Sequence, residues 1–242
     1  AGASLPLMIE LWGTGSWRYG WYIIGAISTA CLPLSLWAAA RLSVPAQRNT
    51  AAGGIKLHLI WRELAGYVGF AMGYIVYLTF LSAWMTDQQA PALLISAVWI
   101  IMGLALIASP FVWRGVLARH ASGKPLAMIL TGIAVGSALP LVLPAGGAVV
   151  ISAVVFGLCV FMAPGAITSF IRQNLPAESW AAAMSLFTVV FAIAQTAGPF
   201  AAGALGDLTG NIGSSLLAAA AILLTGAAVV VFQKPLTAQD SA

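Results

Sequence analysis

The polar side chains set deepest in the apolar stretches of this chain are three tyrosines, Tyr67, Tyr74 and Tyr77, and one amide, Gln195. A phenol or a primary amide in an apolar setting must find a hydrogen-bond partner. Each therefore either bridges to a neighbouring helix or meets a bound solute, and spacing alone leaves both open. The tyrosines lie in Glu63–Met85, which carries no charge after its first residue. Tyr67, Phe70, Tyr74 and Tyr77 share one side of a helix, and Gly66, Gly69 and Gly73 fall on a side roughly 90° away. One edge suits close helix packing, the other solute contact. A second group, Phe161, Met162 and Thr168, surrounds the break at Pro164-Gly165. Its methionine and phenylalanine read equally as packing or as contacts to a ligand.

Acid–base, nucleophilic and metal chemistry find little support. Both histidines, His58 and His120, fall in predicted loops, and no H-E-x-x-H, paired intramembrane acid or G-x-S-x-G turn is present. There is no P-loop for a nucleotide. A retinal protein would need a lysine within its last helix, and Lys234 lies beyond that helix. No enzyme activity, cofactor or metal is expected. Cys31 and Cys159 both lie in apolar segments and read as packing residues, not as a disulfide.

The elements that must position these residues are membrane helices. Of the 242 residues, 61% are hydrophobic and 7% charged. Soluble domains carry about 25% charged residues, so the chain is read as an integral membrane protein. Seven spans are predicted: Tyr19–Ala40, Glu63–Met85, Ala92–Trp113, Pro125–Pro144, Ala148–Ile171, Trp180–Leu205 and Gly213–Gln233. Arg41, Arg48, Lys56, Arg62, Arg114, Arg119, Lys124, Arg172 and Lys234 all fall on one side of them. Arg18, Asp87 and Asp207 fall on the other. The positive-inside rule makes the basic side, and with it the C-terminus, cytoplasmic. This clustering speaks for topology and against nucleic acid as a partner. Tryptophans near the span ends, Trp113 and Trp180 among them, read as interfacial anchors.

Proline and glycine interrupt several spans, at Pro110, Pro140, Pro164-Gly165 and Gly198-Pro199. These read either as hinges of a moving carrier or as static kinks. Gly198, Ala202 and Gly206 recur every fourth residue, so the last two spans are expected to pack tightly. No acid or base occupies the middle of any span. Glu63, Arg172 and Glu178 read as solvated groups at the cytoplasmic boundary. The opening residues, AGASLPLMIELW, read as the end of a hydrophobic helix that starts further upstream.

Three stretches together resemble the major facilitator superfamily, and within it the bacterial YbfB/YjiJ-like branch. They are SWRYGWYIIGAIS (Ser16–Ser28), GYVGFAMGYIVYLTFL (Gly66–Leu81) and FTVVFAIAQTAGPFAAGALGDLTG (Phe187–Gly210). The resemblance implies twelve helices in two six-helix halves, of which this chain holds the end of the fifth through the twelfth. Residues 1–40 would close the N-terminal half and 41–62 would form the central cytoplasmic loop. Residues 63–233 would be the six-helix C-terminal half, and 234–242 a cytoplasmic tail. It also implies that Tyr67, Tyr74, Tyr77, Phe161, Met162 and Thr168 lie near the transport path, with Gln195 flanking it. The stretch Gly115–Lys124, GVLARHASGK, resembles a degenerate copy of the family's gating loop, with Arg119 where an acid is expected. The family's charged latch is not carried over, and a basic membrane anchor is expected there.

The expectation is an all-α polytopic helical bundle of the bacterial inner membrane. Its partners are the lipid bilayer, a small solute and the rest of the N-terminal half. Its function would be secondary transport by alternating access. The competing expectation is a non-transporting scaffold, a receptor-like half or an inactive truncated product.

Overall fold

A computed structural model describes residues 4–41, 56–143 and 146–236. Most of the predicted basic loop after the first span, with Arg48, falls outside these residues, as do Pro144 and residues 237–242.

Long apolar runs become long helices because the peptide groups of a segment in lipid can only bond within that segment. The order is α1 (Leu5–Trp12), α2 (Trp17–Arg41), α3 (Leu57–Asp87), α4 (Ala92–Arg119), α5 (Lys124–Val142), α6 (Gly146–Val160), α7 (Met162–Asn174), α8 (Trp180–Thr209) and α9 (Ile212–Val230). Among the described residues the structure is all-helical, with seven helical stretches long and apolar enough to cross a membrane. Several run past the apolar segment itself. α3 starts at Leu57 rather than Glu63, and α4 continues to Arg119. Gly115–Arg119 is therefore helix, and the connection to α5 is only the short turn before Lys124.

Local chemistry accounts for the helix ends. Pro125 occupies the first turn of α5, where its missing N–H costs nothing. α8 ends at Gly210 in the left-handed region, φ 62°. Asn211 then caps α9, its side-chain oxygen accepting from Gly213 N at 2.8 Å.

The helix breakers behave differently from one another. Pro33, Pro110, Pro140 and Pro199 sit inside uninterrupted helices. Among the described residues a span is divided only at Pro164, and the break falls at Phe161, between α6 and α7. Proline cannot bond the carbonyl four residues back and its ring collides with it. The break therefore appears upstream of the proline, and Pro164 itself lies in the first turn of α7.

α3 is the central element. Its glycine edge lies against α9: a Cβ on Gly66 would meet Val230 Cβ at 2.8 Å, and one on Gly69 would meet Gly226 Cα at 3.3 Å. α8 packs on another side of α3, α9 also packs along α5, and α6 joins α4 to α5. The small stripe of α8 is divided between two neighbours. Gly198 presses on α3, where a Cβ would lie 2.6 Å from Met72 O. Farther along, Ser215 of α9 donates to Ala202 O at 2.6 Å. The expected tight pairing of the last two spans is thus shared with α3.

α2 stands apart from this body. Of its residues only Gly20 is buried, against Leu5 of α1. Trp113 is a second departure from expectation. It is buried, and its Nε1 donates to Leu158 O at 2.8 Å, joining α4 to α6 instead of anchoring at an interface.

Candidate functional site

Positions three and four apart on a helix meet on one face, and this sets the rings of α3 in a column. Tyr67 stacks on Phe70 with centroids 5.6 Å apart, and Phe70 on Tyr74 at 4.5 Å. α8 supplies the facing rings. Phe191 lies 5.3 Å from Tyr67 and 5.9 Å from Tyr74, and Phe187 meets Tyr67 edge-on at 5.8 Å. Offset and edge contacts of this kind are the favoured aromatic geometries.

One polar link closes the column. Tyr74 Oη donates to Gln195 Oε1 at 3.0 Å. Gln195 follows Phe191 by four residues, so both project from the same face of α8. The half-buried Gln195 amide nitrogen has no protein partner among the described residues. The seam between α3 and α8 thus presents stacked rings, one satisfied phenol and free N–H donors, and no charge.

Tyr77 belongs to a different environment. It is fully buried, its ring stacks on Phe156 at 4.2 Å, and its hydroxyl shares a 2.5 Å hydrogen bond with Ser152 Oγ. Ser152 in turn donates to Gly136 O at 2.6 Å. This network ties α3, α6 and α5 together and has no opening to a solute. Replacing Tyr77 by phenylalanine keeps the ring packing and removes one buried hydrogen bond, while Ser152 keeps Gly136. The expected loss is about 1 kcal/mol of stability, read as a lower midpoint of thermal unfolding in detergent.

The second predicted group is dispersed. Phe161 is exposed at the break, while Met162 is packed into the core. Thr168 donates back to Pro164 O at 2.9 Å, so its hydroxyl is used within α7. A Cβ on Gly165 would meet Met162 Cε at 3.3 Å, a tight contact with the end of a flexible side chain. Among the described residues none of these forms a hydrogen bond or ring contact with Tyr74 or Gln195. Of the proposed hinges, Pro110 and Pro199 leave their helices unbroken and Gly198 serves close packing.

The basic end of the bundle holds a polar cluster that the residue pattern did not suggest. Asn174 Nδ2 donates to Ala121 O at 2.7 Å, and its Oδ1 accepts from Leu236 N at 2.7 Å. Gly123 N donates to Gln233 O at 3.0 Å, and Gln233 Nε2 donates to Leu59 O at 2.9 Å. Neutral amides therefore clasp α3, α7, the α4–α5 turn and the C-terminal segment together. Glu63 is enclosed here and is 1% exposed, which corrects its reading as a solvated boundary group. The enclosing strand of chain, Gln233–Leu236, folds back over α3 from far along the sequence, and no local signal announces that.

A family model described as "Uncharacterised MFS-type transporter YbfB" matches residues 1–231. The chain belongs to this family. A search of curated proteins finds no match. As an MFS-type transporter of the YbfB kind, the protein is a multi-pass membrane protein whose broad role is transport. The seven described helical stretches long and apolar enough to cross a membrane agree with that membership.

Proposed function

We propose that this MFS-type transporter moves a small solute across the bacterial inner membrane by alternating access, coupled to a second gradient. Residues 63–233 act as the C-terminal half, with α3 starting slightly earlier at Leu57. Residues 1–40 close the N-terminal half, 41–62 link the two, and 234–242 form a tail. The isolation of α2 supports this division, since a helix of the other half would pack against helices not in this body. The basic end faces the cytoplasm on the positive-inside rule.

The observation that carries the reading is the Tyr74–Gln195 link with its free amide donors beside stacked rings. That surface suits an uncharged or partly apolar solute with a hydrogen-bond acceptor, held between rings and amide. Phe161, Met162 and Thr168 lie farther along the path, and the break at Phe161 supplies bending there. Tyr77 supports the wall from behind.

The test is uptake and efflux in vesicles, using the solute that the intact protein accumulates from a panel of small molecules. Gln195→Ala is expected to reduce transport about tenfold, the equivalent of one hydrogen bond to solute, and Tyr74→Phe by a similar factor because it releases the amide from its position. The double substitution should cost less than the product of the two, because they share one link. Normal transport by both single variants would remove these residues from the path.

A further inference from the structure

At the basic end, two buried oxygens lack a donor. Glu63 is 1% exposed and its Oε2 has no hydrogen-bond partner; Gln233 is 4% exposed and its Oε1 has none, among the described residues. Both side chains border Gly123. The point where Gly123 would carry a Cβ lies 3.0 Å from Glu63 Oε2 and 2.7 Å from Gln233 Cβ. The Gln233 nitrogen is already engaged, donating to Leu59 O at 2.9 Å and Lys234 O at 3.0 Å. Leu59 precedes Glu63 by one helical turn, so the Gln233 amide lies along the Glu63 side of α3.

The nearby cations are directed elsewhere. On α3, Arg62 covers the Trp61 ring at 4.9 Å, and His58 and Lys56 are exposed. On α4 and its turn, Arg119 is exposed and His120 Nδ1 sits 3.0 Å from Val116 O. Lys124 of α5 and Lys234 of the C-terminal segment are exposed, and α9 has no titratable residue. On α7, Arg172 lies over Trp180 at 5.2 Å. None of them bonds Glu63 among the described residues.

A buried carboxylate without a donor is among the least favourable arrangements in a protein. The carboxylic acid, in contrast, has the O–H donor that both oxygens need. We propose that Glu63 and Gln233 form a proton-binding site that locks the basic end of the bundle. The acid donates its proton from Glu63 Oε2 to Gln233 Oε1. On release, the proton passes to water at the basic end. The remaining anion repels the amide oxygen, and Gln233 withdraws with the segment that bonds Gly123 and Asn174. Proton loss and opening of the clasp are then one linked equilibrium. This site is independent of which solute is carried.

The test is infrared difference spectroscopy of the intact protein in lipid nanodiscs as pH is stepped upward. A carbonyl band of a protonated carboxyl is expected at neutral pH, lost at higher pH, and absent throughout in Glu63→Gln. Gln233→Leu removes the acceptor without opening a large cavity, and should move the band to the position of an acid without a hydrogen bond. Glu63→Gln keeps a donor toward Gln233, so it should fold and lose the decline in thermal stability that wild type shows as pH rises. The sign follows because only the unfolded chain ionises this group freely. Absence of the band at neutral pH overturns the proposal, as does its persistence in Glu63→Gln or its indifference to Gln233→Leu. A carboxylate band that responds to added sodium in place of pH would also overturn it, assigning the two oxygens to a metal cation.

Discussion

Gly123→Ala is expected to destabilise the protein by about 3 kcal/mol or more and to free the C-terminal segment. The added methyl would collide with Val230 O and sit 2.7 Å from Gln233 Cβ and 3.0 Å from Glu63 Oε2. The first of these is a backbone atom at the end of α9, so no rotamer change relieves the collision. The backbone at Gly123 is ordinary for any residue, φ −69° and ψ −3°. The cost therefore comes from space, not from conformation. Moving away would break the bond from Gly123 N to Gln233 O and uncover Glu63. Two measurements check this: the midpoint of thermal unfolding in detergent, and the rate of protease cleavage within the C-terminal segment. An unchanged midpoint together with an unchanged cleavage rate would show that the space around Gly123 is looser than described.

Gly73→Val is expected to separate α3 from α9 and to cost a similar amount, about 3 kcal/mol. Its Cβ would stand 2.5 Å from Leu223 Cγ and 3.0 Å from Ala219 O. Leu223 is fully buried and cannot turn out of the way into open space. In lipid, helix association draws on close van der Waals contact more than on burial from water, so opening this seam loses most of what holds it. Gly103→Val provides the comparison. Nothing lies within 4 Å of its Cβ position, on an exposed stretch of α4. That change should leave the unfolding midpoint within a degree or two, since valine is no worse in a helix than glycine. Equal behaviour of the two variants would argue against the α3–α9 seam.

The spans were legible because the bilayer imposes a length and a composition that any local window can detect. α4 begins at Ala92 and α8 at Trp180, where the apolar runs were drawn. The glycine edge of α3 was equally legible, because 3.6 residues per turn places Gly66, Gly69 and Gly73 together whatever they touch. The tyrosines show the limit. Tyr74 and Tyr77 differ by about 60° on the same helix and carry the same group. One reaches Gln195 on α8 and the other Ser152 on α6. That distinction depends on which helices stand on either side of α3. Glu63 was misread for the same reason: the chain that covers it follows α9.

The sequence by itself determined a helical membrane protein, its spans, its charge asymmetry and the stripes along each helix. These follow from local rules: hydrocarbon thickness, helix periodicity and the cost of unpaired peptide groups. Only the tertiary structure decided which hydroxyl is sealed in the core and which lies beside a free amide. It also decided that a proline breaks its span at Phe161 while others leave theirs whole, and that the carboxyl opening an apolar run is buried. Each of these is set by the neighbour across a helix interface, and hydrogen bonds and close contacts over such distances leave no period in the chain.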